Sequence, residues 1–393
     1  MPVGRNVPAG RTKDTAKSRR AMTAKAKQVG GKDVSAVSSV VEKLKPEQEL
    51  QLRRHAHNLM EPGKGILAAD DSMATIDTCL RSMKLLCTDL NRTRYMDVLI
   101  GDRRELSQFV SGILVNEDLL RLRFHKGRSA ALLLQEVGVQ LGVRAVKRFV
   151  TIPGTYGEWA TVGLDTASDD CRRFKDKGAT FALWRCVYKV SHCTPSTLAM
   201  TVNSNAIARF ASACQSAGLV SVVSAELLPD GDYDPNVAHE ALKEVLTALM
   251  ASLRMYGVFL EGVIIRLAPA FPGVKYTGRY KLSDVVRATL QACNSRIPAA
   301  VTGIMLCRRE TLEDSVQVLD ELNKCPMMKP YVISFCYSRV IHNDVIKIWA
   351  GQDGNLQKAR NALLERAKVC SLASMGQCPE HNRSLFISNI CNQ

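Results

Sequence analysis

Between Val237 and Leu253 the apolar residues fall at Val237, Ala241, Leu242, Val245, Leu246, Leu249 and Leu253. Steps of three and four put them on one face of an α-helix, and Gly257 is a fitting stop. The stretch 205–217, ending at Gly218, repeats the pattern, and the apolar run Val220-Ser-Val-Val223 after it reads as a strand. Lys45-Pro46-Glu-Gln-Glu49 opens the first helix, with proline and acids where a helix N-terminus accepts them. Strand-like runs alternate with helical stretches along the rest of the chain. That order predicts parallel strands with helices packed outside them, an α/β class.

Composition narrows the class. The chain has 393 residues, 46% of them hydrophobic, enough for one large core. Its best candidate for a membrane span, 258–270, is cut by Glu261 and Arg266, so no run reaches the ~20 apolar residues a bilayer requires. The thirteen cysteines are scattered singly with no Cys-x-x-Cys pair, which argues for a reducing compartment and against a disulfide framework or zinc site. The seven histidines are dispersed too, and His55 and His57 are too close to share a helical face. No metal ligand set is visible and no cofactor is expected.

The net charge of +15 is lopsided. Residues 1–32 carry nine Lys and Arg against Asp14 alone, a local net of +8. The segment is rich in Ala, Gly, Ser and Thr and nearly free of large apolar residues, so residues 1–45 are expected to form a disordered basic arm. Such an arm is either a plain solvated tail or a contact for an acidic surface, nucleic acid or an acidic filament. The expected location is cytoplasmic. A mitochondrial presequence is the alternative, although Pro2, Pro8 and Gly10 interrupt any amphipathic helix there.

A series of motifs takes the reading from class to family. Gly63-Lys-Gly-Ile-Leu-Ala-Ala-Asp70, Ser111-Gly-Ile-Leu114, Trp184-Arg-Cys-Val187 and Glu226-Leu-Leu-Pro-Asp-Gly-Asp232 occur in that order. They are followed by 259–273, which contains Glu261-Gly262 and Arg266, then Ala300-Val-Thr-Gly-Ile304 and Ser334-Phe-Cys-Tyr-Ser-Arg339. Asn323-Lys-Cys-Pro326 and Ser384-Leu-Phe-Ile-Ser-Asn389 are smaller landmarks. In order and spacing the chain from about Pro46 onward resembles the class I fructose-bisphosphate aldolases. The resemblance implies a single (β/α)8 TIM barrel over 46–369, between the basic N-terminal extension and a flexible C-terminal tail over 370–393. In such barrels the chemistry lies at the C-terminal ends of the strands.

The resemblance also assigns positions in the site. The family's Schiff-base lysine, on its sixth barrel strand, stands here as Arg266. A Schiff-base nucleophile offers a neutral amine with a free lone pair; a guanidinium stays protonated with its lone pairs delocalised. The family's catalytic aspartate is matched by Asp70, and its pair of glutamates on strand five by Ser224 and Glu226, so one carboxylate is lost. A second catalytic lysine becomes Leu183, which shares a face with the retained Arg185. A lysine on the third strand becomes Arg144, with Val146 in place of a neighbouring aspartate, and a basic residue after strand one becomes Cys79. For phosphate and other anions the resemblance leaves Arg185, Arg308, Arg309 and Arg339 as a cationic mouth, and the family's terminal tyrosine has no counterpart in Ile390-Cys-Asn-Gln393. Asp70 and Glu226 are expected to neutralise Arg266, because an unpaired buried charge is costly. Lys147 and Lys189 are the nearest lysines in sequence that could stand in for the lost ones.

Three functions follow as expectations. The first is a catalytically impaired or inactive family member acting as a binding or structural scaffold, as a homotetramer or in a hetero-oligomer with active paralogues. The second is a glycolytic aldolase with residual or altered activity, cleaving fructose 1,6-bisphosphate to dihydroxyacetone phosphate and glyceraldehyde 3-phosphate. The third is a phosphosugar-binding sensor that uses the arginines of the mouth.

Overall fold

A computed structural model describes residues 43–124, 127–307 and 311–379. Ten strands run through them: β1 (Gly65–Ala69), β2 (Val110–Asn116), β3 (Gln140–Arg144), β4 (Arg148–Thr151), β5 (Trp159–Val162), β6 (Phe181–Tyr188), β7 (Val220–Leu227), β8 (Val263–Leu267), β9 (Gly303–Leu306) and β10 (Val332–Tyr337). Eight of them close into a barrel in the order β1-β10-β9-β8-β7-β6-β3-β2, every neighbouring pair parallel. With helices flanking the strands this is the (β/α)8 barrel expected from the motif series. β4 and β5 form an antiparallel hairpin inserted between β3 and β6.

Helix boundaries follow their caps. The first helix, α1 (Pro46–Leu59), has proline at its first turn, and the amide of Lys45 donates to Gln48 Oε1 at 3.0 Å. The helix read at 205–217 begins earlier, at Thr197, because Ser196 accepts from the Ala199 amide and caps it; α2 is therefore Thr197–Ser216. The helix with the 237–253 stripe is α3 (Pro235–Met255), whose cap Asp234 accepts from the amides of Asn236 and Val237. The strand read at 220–223 continues to Leu227. After β10 come α4 (Arg339–Trp349) and α5 (Leu356–Ser374). On α5, Cys370 and Ala373 are fully buried, so packed chain continues past residue 369, where the sequence placed the start of the tail. The basic arm before residue 43 and the tail from residue 380 lie outside the described residues.

Two apolar layers hold the barrel. Between strands and helices, Val245, Leu249, Leu253, Phe210 and Val223 are among a large buried cluster. Inside the barrel, Ile66, Ala68, Leu114, Phe181, Leu183, Val220, Val222, Ile264, Met305 and Cys336 pack with Leu52, Ala56, Leu59 and Met60 from α1 and its end. Every second strand residue contributes, as the pleat requires. Helix α1 crosses the N-terminal ends of the strands. Ser111 Oγ at the start of β2 donates to the Leu59 carbonyl at 2.6 Å, and Gln140 Nε2 at the start of β3 donates to the His55 carbonyl at 3.0 Å. Glycine makes the fit possible: a Cβ on Gly142 would lie 2.0 Å from the Phe181 ring. The opposite end of the barrel stays open and polar.

Candidate functional site at the barrel mouth

A cavity of about 450 Å³ opens at the C-terminal ends of the strands. Its floor is Ala68, Leu114 and Leu183, and its charged lining is Asp70, Asp71, Arg144, Arg185, Glu226, Arg266 and Arg339. The inward positions of β6 and β7 run Phe181, Leu183, Arg185 and Val220, Val222, Ser224, Glu226, so each strand turns from apolar to polar as it nears the mouth.

Arg266 projects inward from β8, and Ser224 is its register partner on β7. Its Nη1 donates to Ser224 Oγ at 3.0 Å and to Glu226 Oε1. Ser224 Oγ in turn donates to the same Glu226 oxygen at 2.9 Å. The other oxygen, Glu226 Oε2, accepts from Arg185 Nε at 2.9 Å and lies 2.7 Å from Arg185 Nη2. One carboxylate thus sits between two guanidiniums, and the ion pair to Arg266 is nearly dry, its side chains 12% and 9% exposed. Arg185 also lies over the ring of Phe149 on the β4–β5 hairpin, 5.6 Å from its centroid.

Asp70 departs from expectation. The sequence paired it with Arg266, but its Oδ2 is 3.4 Å from Arg144 Nη1, at the end of β3 and across β2 from the end of β1. Glu226 alone takes the role foreseen for both acids. Arg339 opens α4, lines the cavity, and makes no ion pair among the described residues. Arg308 and Arg309 lie outside the described residues. Trp184 is core, stacked on Phe210 with its Nε1–H on Thr161 Oγ1 at 2.9 Å.

Neither lysine considered as a substitute faces the cavity. Lys147 Nζ donates to Thr166 Oγ1 at 2.6 Å and pairs with Asp170 at 3.1 Å, while Lys189 Nζ donates to the Tyr156 carbonyl at 2.7 Å. Among the described residues no lysine lines the cavity.

Several site residues escaped the sequence reading. Cys336 and Cys307 face Arg266 from β10 and the end of β9. Burial pushes the Cys336 thiol up to about 11 and raises Cys307 as well, outweighing the pull of Arg266, so both are protonated near neutral pH and poor nucleophiles. His342, fully buried on α4, sets Nε2 3.6 Å from Asp71 Oδ2 and 3.4 Å from Ser338 Oγ. Burial lowers its pKa against the opposing pull of Asp71 and Asp70. The only signals in the sequence were positional: Cys336 and Ser338 occupy alternate places in the Ser334–Arg339 motif.

The family model for fructose-bisphosphate aldolase class-I matches residues 51–389. The non-muscle fructose-bisphosphate aldolase of Lethenteron camtschaticum is 35% identical over 354 residues, covering 88% of this chain and 97% of that protein. Fructose-bisphosphate aldolase 1 of Caenorhabditis elegans is 36% identical over 352 residues, covering 87% and 96%. A solved structure of fructose-bisphosphate aldolase from Plasmodium falciparum, in complex with TRAP and a small-molecule inhibitor, matches with a TM-score of 0.82 at 31% identity, covering 86% of this chain and 98% of that one.

Proposed function

This chain belongs to the class-I fructose-bisphosphate aldolase family, and from that premise we propose that its barrel is a binding scaffold that does not use Schiff-base catalysis. One observation carries the reading: a guanidinium, Arg266, held by Glu226 and Ser224, occupies the end of β8. A guanidinium supplies no neutral nitrogen lone pair at physiological pH, and here its Nη1 is engaged by the Glu226 carboxylate and the Ser224 hydroxyl. Leu183 adds an isobutyl group where proton transfer would need a titratable one. Losing the covalent nucleophile alone removes the route, whatever the neighbouring groups contribute.

What the mouth retains is the ability to hold an anion. Arg144, Arg185, Arg266 and Arg339 line it against Asp70, Asp71 and Glu226, an arrangement that draws in phosphate-bearing ligands. The test is a coupled assay of fructose 1,6-bisphosphate cleavage by the purified, folded protein, beside calorimetric titration with the same compound. Binding without turnover is the expected result. Steady turnover lost in Arg339→Ala returns the protein to the glycolytic aldolases and overturns the proposal.

A further inference from the structure

The charges in the cavity do not close around a neutral sugar. Arg144 has Asp70 at 3.4 Å, and Asp71 faces His342 and the hydroxyl of Tyr95. Deeper in, Arg185 and Arg266 share the one carboxylate of Glu226, and the residue between them, Ser224, is neutral. The inner cluster therefore carries one surplus positive charge, over a floor of Ala68, Leu114 and Leu183. Arg266 is nearly dry while Arg185 is 37% exposed, so water screens the surplus charge only in part, and the carbonyl of a ketose brings lone pairs but no charge to match it. A carboxylate brings one negative charge and a planar pair of oxygens suited to guanidinium forks. At the rim Arg339 is a second positive charge without an ion-pair partner among the described residues, and it suits a phosphate.

We infer that the Arg185–Glu226–Arg266 cluster is a carboxylate receptor, and that the cavity takes a phosphorylated hydroxy acid in preference to a phosphorylated ketose. The inference rests on the reading of the mouth as an anion-binding cavity. The cavity, about 450 Å³, is of the size that small-molecule sites usually have. Ser224 becomes the specificity-determining residue, because a glutamate there would cancel the surplus charge that the carboxylate satisfies.

Two probes separate the two readings. 6-Phosphogluconate and glucitol 6-phosphate share chain length and phosphate and differ in a carboxylate against a hydroxymethyl group. Isothermal titration of the full chain is expected to show the acid binding at least about tenfold more tightly, the worth of one good charge-assisted contact. Ser224→Glu is expected to abolish that gap, whereas Ser224→Ala, which removes a hydrogen bond but no surplus charge, keeps it. Should Ser224→Glu fail to fold by circular dichroism, Arg266→Gln gives the same readout. Equal affinity of the wild type for the two probes, or a gap that survives Ser224→Glu, overturns the carboxylate receptor and leaves phosphosugar binding standing. Binding of neither probe overturns both readings.

Discussion

Glu226 and Arg266 stand forty residues apart in the chain and meet across neighbouring strands inside the barrel, their ion pair closed on one side by Ser224 Oγ. That contact turns the end of β8 into a fixed cation. Because Glu226 also holds Arg185 through its other oxygen, removing the acid frees two guanidiniums at once. Glu226→Gln is expected to destabilise the fold by about 3–5 kcal/mol, the usual loss when one member of a buried pair is deleted. Urea unfolding measures it. A loss under about 1 kcal/mol indicates that water already screens the cluster, as at a surface ion pair.

On the scaffold reading, a lysine placed at position 266 does not by itself create Schiff-base chemistry. In Arg266→Lys the new ammonium inherits Glu226 as counter-ion, which holds it protonated, and Leu183 still offers no proton carrier. The single variant is expected to show no turnover of fructose 1,6-bisphosphate in a coupled assay. The triple variant Leu183→Lys, Ser224→Glu, Arg266→Lys is expected to show it. Turnover in the single variant means that the rest of the site was already competent.

Acid should loosen the fold in a defined window. Burial holds the His342 pKa below its ordinary value of 6.5, with Asp71 and Asp70 pulling it up and Arg339 pushing it down. The unfolded chain therefore takes up that proton more readily than the native one. Stability is full above pH about 6.5 and falls as the pH drops through that value toward the lower native pKa. The slope from one proton is at most about 1.4 kcal/mol per pH unit. His55, lowered by burial and then by Lys175, acts in the same direction. His342→Gln is expected to flatten, not remove, the decline in urea midpoint between pH 7 and 5.

Two glycines of the barrel interior predict different costs. A Cβ on Gly142 meets the Phe181 ring at 2.0 Å, and that ring is fully buried. A Cβ on Gly303 meets the Met60 methyl at 2.3 Å, at the end of an adaptable side chain. Gly142→Ala is expected to cost about 1–3 kcal/mol or more through overpacking, and Gly303→Ala clearly less. Thermal unfolding of the two variants side by side decides it; equal losses overturn the contrast.

The barrel was legible because its strands carry family motifs in sequence, and because residues two apart share a face: Leu183 with Arg185 and Ser224 with Glu226 could be placed inward before any coordinates. Height along the barrel axis was not legible. Parallel strands are staggered, and that stagger decides whether Asp70 reaches Arg266 or Arg144. Helix starts were misread wherever the cap lay upstream of the apolar stripe, as with Ser196. His342 was invisible as a site residue because nothing in an isolated helical sequence tells which face meets Asp71.

Helix α1 has a consequence for ligand traffic. With Leu52, Ala56, Leu59 and Met60 it stoppers the N-terminal end of the barrel, so among the described residues the polar mouth is the way in. A ligand that enters at the mouth leaves at the mouth, so the groups around Arg339 at the rim weigh on its escape as well as on its capture. A protein docked over that rim would act as a latch, slowing escape without touching the ligand.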